Sequence, residues 1–169
     1  MGKYRKILIA IDGSESSRNA LLQAFRLAVE EKCWITVTSV VPPVTGDLDL
    51  TGVDDVRASL AKPCEEALRE AERLADQERI LIKTVCEEGE TYERIVDVAE
   101  EQNADIIVMG RRGLRRMARA LVGSVTARVI GHTQRDVLVV PSGSTLGWKK
   151  IVIATDGSRF SKIATDKAI

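Results

Sequence analysis

Five short apolar runs, Ile7-Leu-Ile-Ala-Ile11, Ile35-Thr-Val-Thr-Ser-Val40, Ile80-Leu-Ile-Lys-Thr-Val85, Ile106-Ile-Val-Met109 and Val137-Leu-Val-Val140, punctuate this chain at helix-sized intervals. Each is rich in β-branched residues, and that alternation of strand-length and helix-length segments reads as βαβ units. Because the runs are near-continuously apolar, rather than strictly alternating with polar residues, they suit strands covered on both faces. The expected architecture is an α/β, doubly wound five-stranded parallel sheet with helices on both sides.

The intervening segments carry helical spacing. Ser14 or Ser16 can cap a helix running to about Glu31, with Ala20, Leu21, Ala24, Leu27 and Ala28 on one face. A second helix is expected from about Asp54 to Gln77, a third from Thr91 to Gln102 and a fourth from Ser124 to about His132. Pro42 to Gly52 reads as a loop at the carboxyl end of the second strand, where ligands of this architecture bind.

Composition removes several functions. The 25 basic residues balance 25 acidic ones and aromatics make up 4%, so neither a global field nor a stacking platform favours nucleic acid. No apolar run approaches the roughly 20 residues of a membrane span, and the first residues lack a secretory core, so a cytoplasmic protein is expected. Cys33, Cys64 and Cys86 are odd in number and widely spaced. They read as small buried thiols rather than as a disulfide framework or zinc site.

The chemistry concentrates after the fourth run. Gly110 and Gly113 follow it, and after nine further residues come Gly123, Ser124, Val125 and Thr126. Glycines leaving a strand permit positive φ and close approach of an oxygen, although an ordinary turn has the same look. A helix opening at Ser124 offers unpaired N–H groups to an anion, while Ser124 and Thr126 add hydroxyls. Ser124 as a simple N-cap is the plainer alternative. Asp12, after the first strand, suits a ribose hydroxyl or else an Asx cap. Arg111, Arg112, Arg115, Arg116 and Arg119 form either a solvated basic face or phosphate ligands, Arg112 being favoured because it lies within the first turn. Leu114, Met117, Ala118 and Leu121 share one stripe of the stretch between the glycine clusters. Neither G-x-G-x-x-G nor G-x-x-x-x-G-K-[ST] occurs.

One segment repeats. Lys6 to Ser14 returns as Lys150 to Ser158, nine aligned positions differing at two, and Ser17 and Ala20 return as Ser161 and Ala164. This divides the chain into a complete domain over 1–141, a linker over 142–148 and a partial second repeat, strand and start of helix, over 149–169. Its apolar strand must dock on this domain, dock on another molecule, or belong to a longer tandem protein.

Together these residues resemble the ATP-binding branch of the universal stress protein family. The pattern G-x-x-G, nine residues, G-[ST] is carried by Gly110, Gly113, Gly123 and Ser124, and Asp12-Gly-Ser14 and Val137-Leu-Val-Val-Pro141 support it. The resemblance implies a Rossmann-like sheet of order 3-2-1-4-5 with ATP, or ADP or AMP, across the ends of strands one and four. It implies that Asp12 holds the ribose and that Val40 offers backbone groups to the adenine. Ala10 and Met109 would line the pocket, and Gly110, Gly113, Gly123, Ser124, Val125 and Thr126 would hold the phosphates. Mg2+ or Mn2+ would bind through the phosphates. A homodimer through Val137, Leu138, Val139 and Val140, or a pseudo-dimer with a second domain, is also implied.

Arg111 and Arg112 replace the small polar or histidine residues frequent between the first two glycines, and Thr133 to Asp136 lacks a proline frequent before strand five. No Glu, His or Asp is forced by spacing toward a γ-phosphate, and His132 falls at the far end of its helix. Binding is therefore favoured over a slow ATPase or autophosphorylating protein, and over a nucleotide-free dimeric scaffold.

Overall fold

The computed structural model describes residues 4–43, 53–113, 122–147 and 149–168. Its elements run β1 Lys6–Ala10, α1 Glu15–Glu31, β2 Trp34–Val41, α2 Val53–Glu78, β3 Ile82–Glu88, α3 Thr91–Glu101, β4 Ile106–Gly110, α4 Ser124–His132, β5 Asp136–Val140 and α5 Arg159–Ala168. The strands form one sheet of order β3-β2-β1-β4-β5, and every neighbouring pair is parallel. This is the architecture the apolar runs predict. The order reverses direction between β1 and β4, which opens a crevice beyond their carboxyl ends.

Successive side chains of β1 serve two cores, as strand alternation requires. Ile7, Ile9 and Ile11 pack with Phe25, Leu21 and Leu74 under α1 and α2, whereas Leu8 and Ala10 join Ile95, Val98 and Val129 under α3 and α4. Leu8 and Ile9 are fully buried. Each such side chain contributes about 1.5–3 kcal/mol, so the two-faced burial of β1 fixes its position in the centre of the sheet.

α1 begins where Ser14 accepts a hydrogen bond from the Ser17 N–H, which settles the cap as Ser14. α2 continues to Glu78, and its last turn closes through Arg79 at φ 57° and an Ile80 N–H to Ala75 carbonyl bond. Ile80 and Leu81 are therefore spent on leaving the helix, and β3 starts two residues later than the apolar run suggests. It also ends later, at Glu88, because the edge strand pairs along Ser39–Val41 whatever the polarity of its outward residues.

The expectation of separate thiols is corrected at two positions. Cys64 on α2 and Cys86 on β3 are joined as a disulfide with Cα atoms 6.6 Å apart, and Cys33 alone is free. Sequence spacing could not reveal the pair, because α2 folding back over the sheet brings the two residues together.

The expected second-repeat strand is also absent from regular structure. Among the described residues Ile151 to Ala154 pair with no strand, Val152 is 96% exposed, and no residue of α5 is buried. An apolar segment becomes a strand only where a neighbour supplies hydrogen bonds, and none is supplied here. The segment just before it, by contrast, is tied to α1. Asn19 Nδ2 donates to the carbonyls of Pro141 and Ser144, and the Leu146 N–H donates to Gln23 Oε1.

Candidate functional site

Three loops meet at the β1/β4 crevice. Asp12 follows β1 and shapes its turn: the Ser14 N–H donates to Asp12 Oδ1 at 3.1 Å, Gly13 takes φ 77°, and the Asp12 N–H donates to Ser17 Oγ at 3.3 Å. This is an Asx turn that feeds directly into the α1 cap. The capping alternative for Asp12 is therefore real, and one carboxylate oxygen serves it.

Gly113 comes up against the same carboxylate from β4. A Cβ on Gly113 would lie 2.3 Å from Asp12 Oδ2. Gly123 closes the third side: its N–H donates to the Arg111 carbonyl at 2.8 Å, and a Cβ there would lie 3.5 Å from Arg112 Cα. The two glycine clusters and Asp12 are thus one constellation.

The glycines have reasons that differ from those expected. None of Gly110, Gly113 and Gly123 has positive φ among the described glycines. Gly110 is needed for packing, since a Cβ would sit 2.8 Å from the Ser16 carbonyl carbon and the Ser17 nitrogen, inside the first turn of α1. Gly113 is needed for close approach to a carboxylate of the protein itself. Gly123 is the N-cap of α4, without a side-chain cap, a place the sequence reading offers to Ser124.

Ser124 is exposed at the first position of α4, so it is not the cap. The amides of Ser124, Val125 and Thr126 begin the helix, where an N–H has no carbonyl one turn earlier to pair with. Thr126 is buried, and its hydroxyl donates to the Gly110 carbonyl at 3.1 Å. That proton is committed to the end of β4, so Thr126 has only its amide left for a ligand. Val125 and Val40 are half-buried against the core that contains Ala10 and Met109, and both of these are buried.

A cavity of about 170 Å³ opens beside the glycine loop, lined by Ser14, Glu15, Ser16, Arg111, Arg112, Gly113 and Ser142. It lies on the α1 side of the loop, and Asp12, Ser124 and Thr126 do not line it. Arg112 is half-buried, and its Nε is buried with no hydrogen-bond partner among the described residues. An unpaired donor on a cation is costly unless an acceptor arrives. Ser16 Oγ stitches the loop to β5, donating to the Val140 carbonyl and receiving the Arg112 N–H.

Arg115, Arg116, Arg119 and the Leu114 to Leu121 stripe lie outside the described residues, as does most of the Pro42 to Gly52 loop. Sequence reasoning gave Ser16 a capping role only and passed over Ser142 and Thr38. Nothing local separates Ser16 from its serine neighbours, and Ser142 belongs to the linker. The Thr38 hydroxyl is fully buried without a partner among the described residues, in register with Ala10. A hydroxyl inside a strand reads from sequence only as β-propensity. Among the described residues no His, Cys, Asp or Glu group is arranged to hold a metal, and no helix is long and apolar enough to cross a membrane.

The fold and crevice define a class: a parallel, doubly wound α/β domain with a glycine-built loop at its topological switch point. Residues 3–141 match the model of the universal stress protein family. The chain belongs to that family. Universal stress protein MJ0531 of Methanocaldococcus jannaschii is 36% identical over 144 residues, a match covering 81% of this chain and 82% of the relative. Among solved structures, MJ0577 is 28% identical at a TM-score of 0.68, with 84% of this chain and 99% of that one covered. A universal stress protein in complex with cAMP is 28% identical at a TM-score of 0.65, covering 83% and 99%.

Proposed function

We propose that this protein binds an adenine nucleotide, ATP in the first place and ADP or AMP by the same contacts, and acts as a regulatory module of the stress response. The observation that carries the reading is the Arg112 side chain, whose buried Nε lacks a partner among the described residues, on a loop that also brings Gly113 to Asp12. A phosphate oxygen supplies the missing acceptor with a charge-assisted bond. The cAMP complex of a relative supports an adenine nucleotide as the ligand class.

In this reading Asp12 accepts from the ribose, and the backbone of Val40 meets the adenine. Ala10 and Met109 form the floor. The amides after Gly110 and Gly113, with those of Gly123, Ser124, Val125 and Thr126, take the phosphates, and the α4 dipole favours their charge. Mg2+ or Mn2+ is held by the phosphate oxygens. The machinery holds charge rather than activating a water, so binding, not turnover, is the assigned activity.

The outer edge of β5, where Val137, Leu138 and Val139 are half-buried, is the proposed pairing edge, used by a second copy or by a second domain in a tandem arrangement. Residues 149–169 are assigned to the opening of that second unit. A cytoplasmic location accords with this reading.

The test begins with heat release of small molecules from gently purified protein and their identification by chromatography. Adenine nucleotide is the expected product. Its absence there, together with no binding in titration with Mg-ATP, would overturn the assignment in favour of a nucleotide-free scaffold.

A further inference from the structure

The disulfide between Cys64 and Cys86 is used by nothing described so far. Cys64 is 3% exposed in the core beneath α2, while Cys86 is exposed on β3, the outer strand of the sheet. A second tie joins the same two elements, the Thr84 hydroxyl donating to Glu72 Oε1 at 2.9 Å. Thr84 and Cys86 stand on one face of β3, as residues two apart must.

The position of the pair along α2 matters. Pro63 lies inside the helix, immediately before Cys64. A proline there removes one helical hydrogen bond and weakens the joint between the segment before it and the segment after it. The cross-link therefore attaches the sheet edge to the helix at its weakest point. An exposed disulfide is also the type that exchanges with external thiols, unlike one sealed in a core.

We propose that Cys64 and Cys86 form a reversible thiol–disulfide site that clamps α2 onto β3 when oxidised and frees the Pro63 joint when reduced. The co-reactant is a small disulfide or thiol. In oxidation the accessible Cys86 thiolate attacks one sulfur of the small disulfide, forming a mixed disulfide and expelling one thiolate. The Cys64 thiolate then attacks the Cys86 sulfur and expels the second. Two thiol protons leave the protein and end on two small-molecule thiols, which carry the electron pair. Reduction by a dithiol is the reverse, entered at Cys86. Glu65, Glu66, Glu87 and Glu88 flank the two cysteines in sequence, so a neutral disulfide reacts faster than an anionic one.

The experiment uses the whole chain, reduced with dithiothreitol, desalted and incubated without denaturant in 2-hydroxyethyl disulfide. Non-reducing peptide mapping is expected to show Cys64 joined to Cys86, with the same link in Cys33→Ser. The oxidised form is expected to melt roughly 5–10 °C above the reduced form, and its α2 amides around Pro63 to exchange more slowly. Cys86→Ser, a change at an exposed edge position, is expected to melt with the reduced protein and to ignore the oxidant. A pair that stays unlinked, a mixed disulfide that stops at Cys86, or a link without a rise in melting temperature would overturn the proposal. None of these readouts depends on a nucleotide.

Discussion

The chain presents the same turn twice, and the two copies have different fates. At residues 12–17, Asp12 accepts from the Ser14 N–H at 3.1 Å, Ser14 accepts from the Ser17 N–H at 3.2 Å, and the Ser17 hydroxyl donates to the Ser14 carbonyl at 3.0 Å. At residues 156–161 the equivalent distances are 2.9, 3.1 and 3.0 Å, and Gly157 takes φ 78° where Gly13 takes φ 77°. Local sequence is enough to build the turn. It is not enough to build the strand, because Leu8 is fully buried between neighbours while its counterpart Val152 is almost fully exposed.

The contrast separates what a motif encodes from what a sheet supplies. The Asp156 carboxyl is held down to about 2 by the Ser158 hydroxyl and N–H and by Ser161, all of them local partners. Gly113, which lies against Asp12, has no counterpart around Asp156 among the described residues. The first copy meets the loop after β4 through Gly113, and the second is a turn alone.

The sharpest way to break this comparison is at the aligned strand positions. Leu8→Ala is expected to cost about 2–5 kcal/mol by urea unfolding, whereas Val152→Ala is expected to change stability by less than about 0.5 kcal/mol. Equal losses would mean that the tail belongs to the same cooperative core.

Next in size are the carboxylates. Asp12→Ala is expected to weaken Mg-ATP binding roughly 10- to 100-fold in calorimetric titration, and Asp156→Ala to leave it unchanged. Gly113→Val acts at the same place by collision with the Asp12 carboxylate, and loss of binding with far-ultraviolet circular dichroism retained is the predicted signature. The caps come third. Ser14→Ala should destabilise the domain by about 1 kcal/mol through loss of the α1 cap, while Ser158→Ala, capping a helix with no buried residue, should leave the global transition where it was.

The smallest effect lies where the body meets the tail. Asp136 accepts from the Tyr4 hydroxyl at 3.0 Å and pairs with Lys167 of α5. Burial, with the Asp136 charge second, pushes the Tyr4 phenol from its ordinary 10 up to about 12. The folded protein thus favours the protonated phenol, a contribution intact below pH 10 and lost as pH rises from there through about 12. Wild-type stability should fall faster than that of Tyr4→Phe across that window, and parallel curves would show that Tyr4 is not the group responsible.

Much of the fold was legible because five β-branched runs at helix-length spacing admit few arrangements, and the G-x-x-G followed nine residues later by G-[ST] marked where the crevice would lie. Less legible were facts that depend on which elements touch. Gly110 reads as a ligand glycine, yet its missing Cβ makes room for the first turn of α1. Thr126 reads as a phosphate ligand, yet its hydroxyl closes the end of β4. Cys64 and Cys86 read as separate thiols because nothing in their spacing shows that α2 lies over β3. The Thr38 hydroxyl cannot be told from an ordinary strand threonine until its burial is seen.

The account rests on the loop after β4 and the turn after β1 forming one anion-binding hollow for a nucleotide. Calorimetric titration of Mg-ATP into the wild-type chain, Asp12→Ala and Asp156→Ala tests it most directly. The prediction is one site per chain, weakened by the first substitution and untouched by the second. Absence of binding in the wild type, or equal loss from both substitutions, would contradict it.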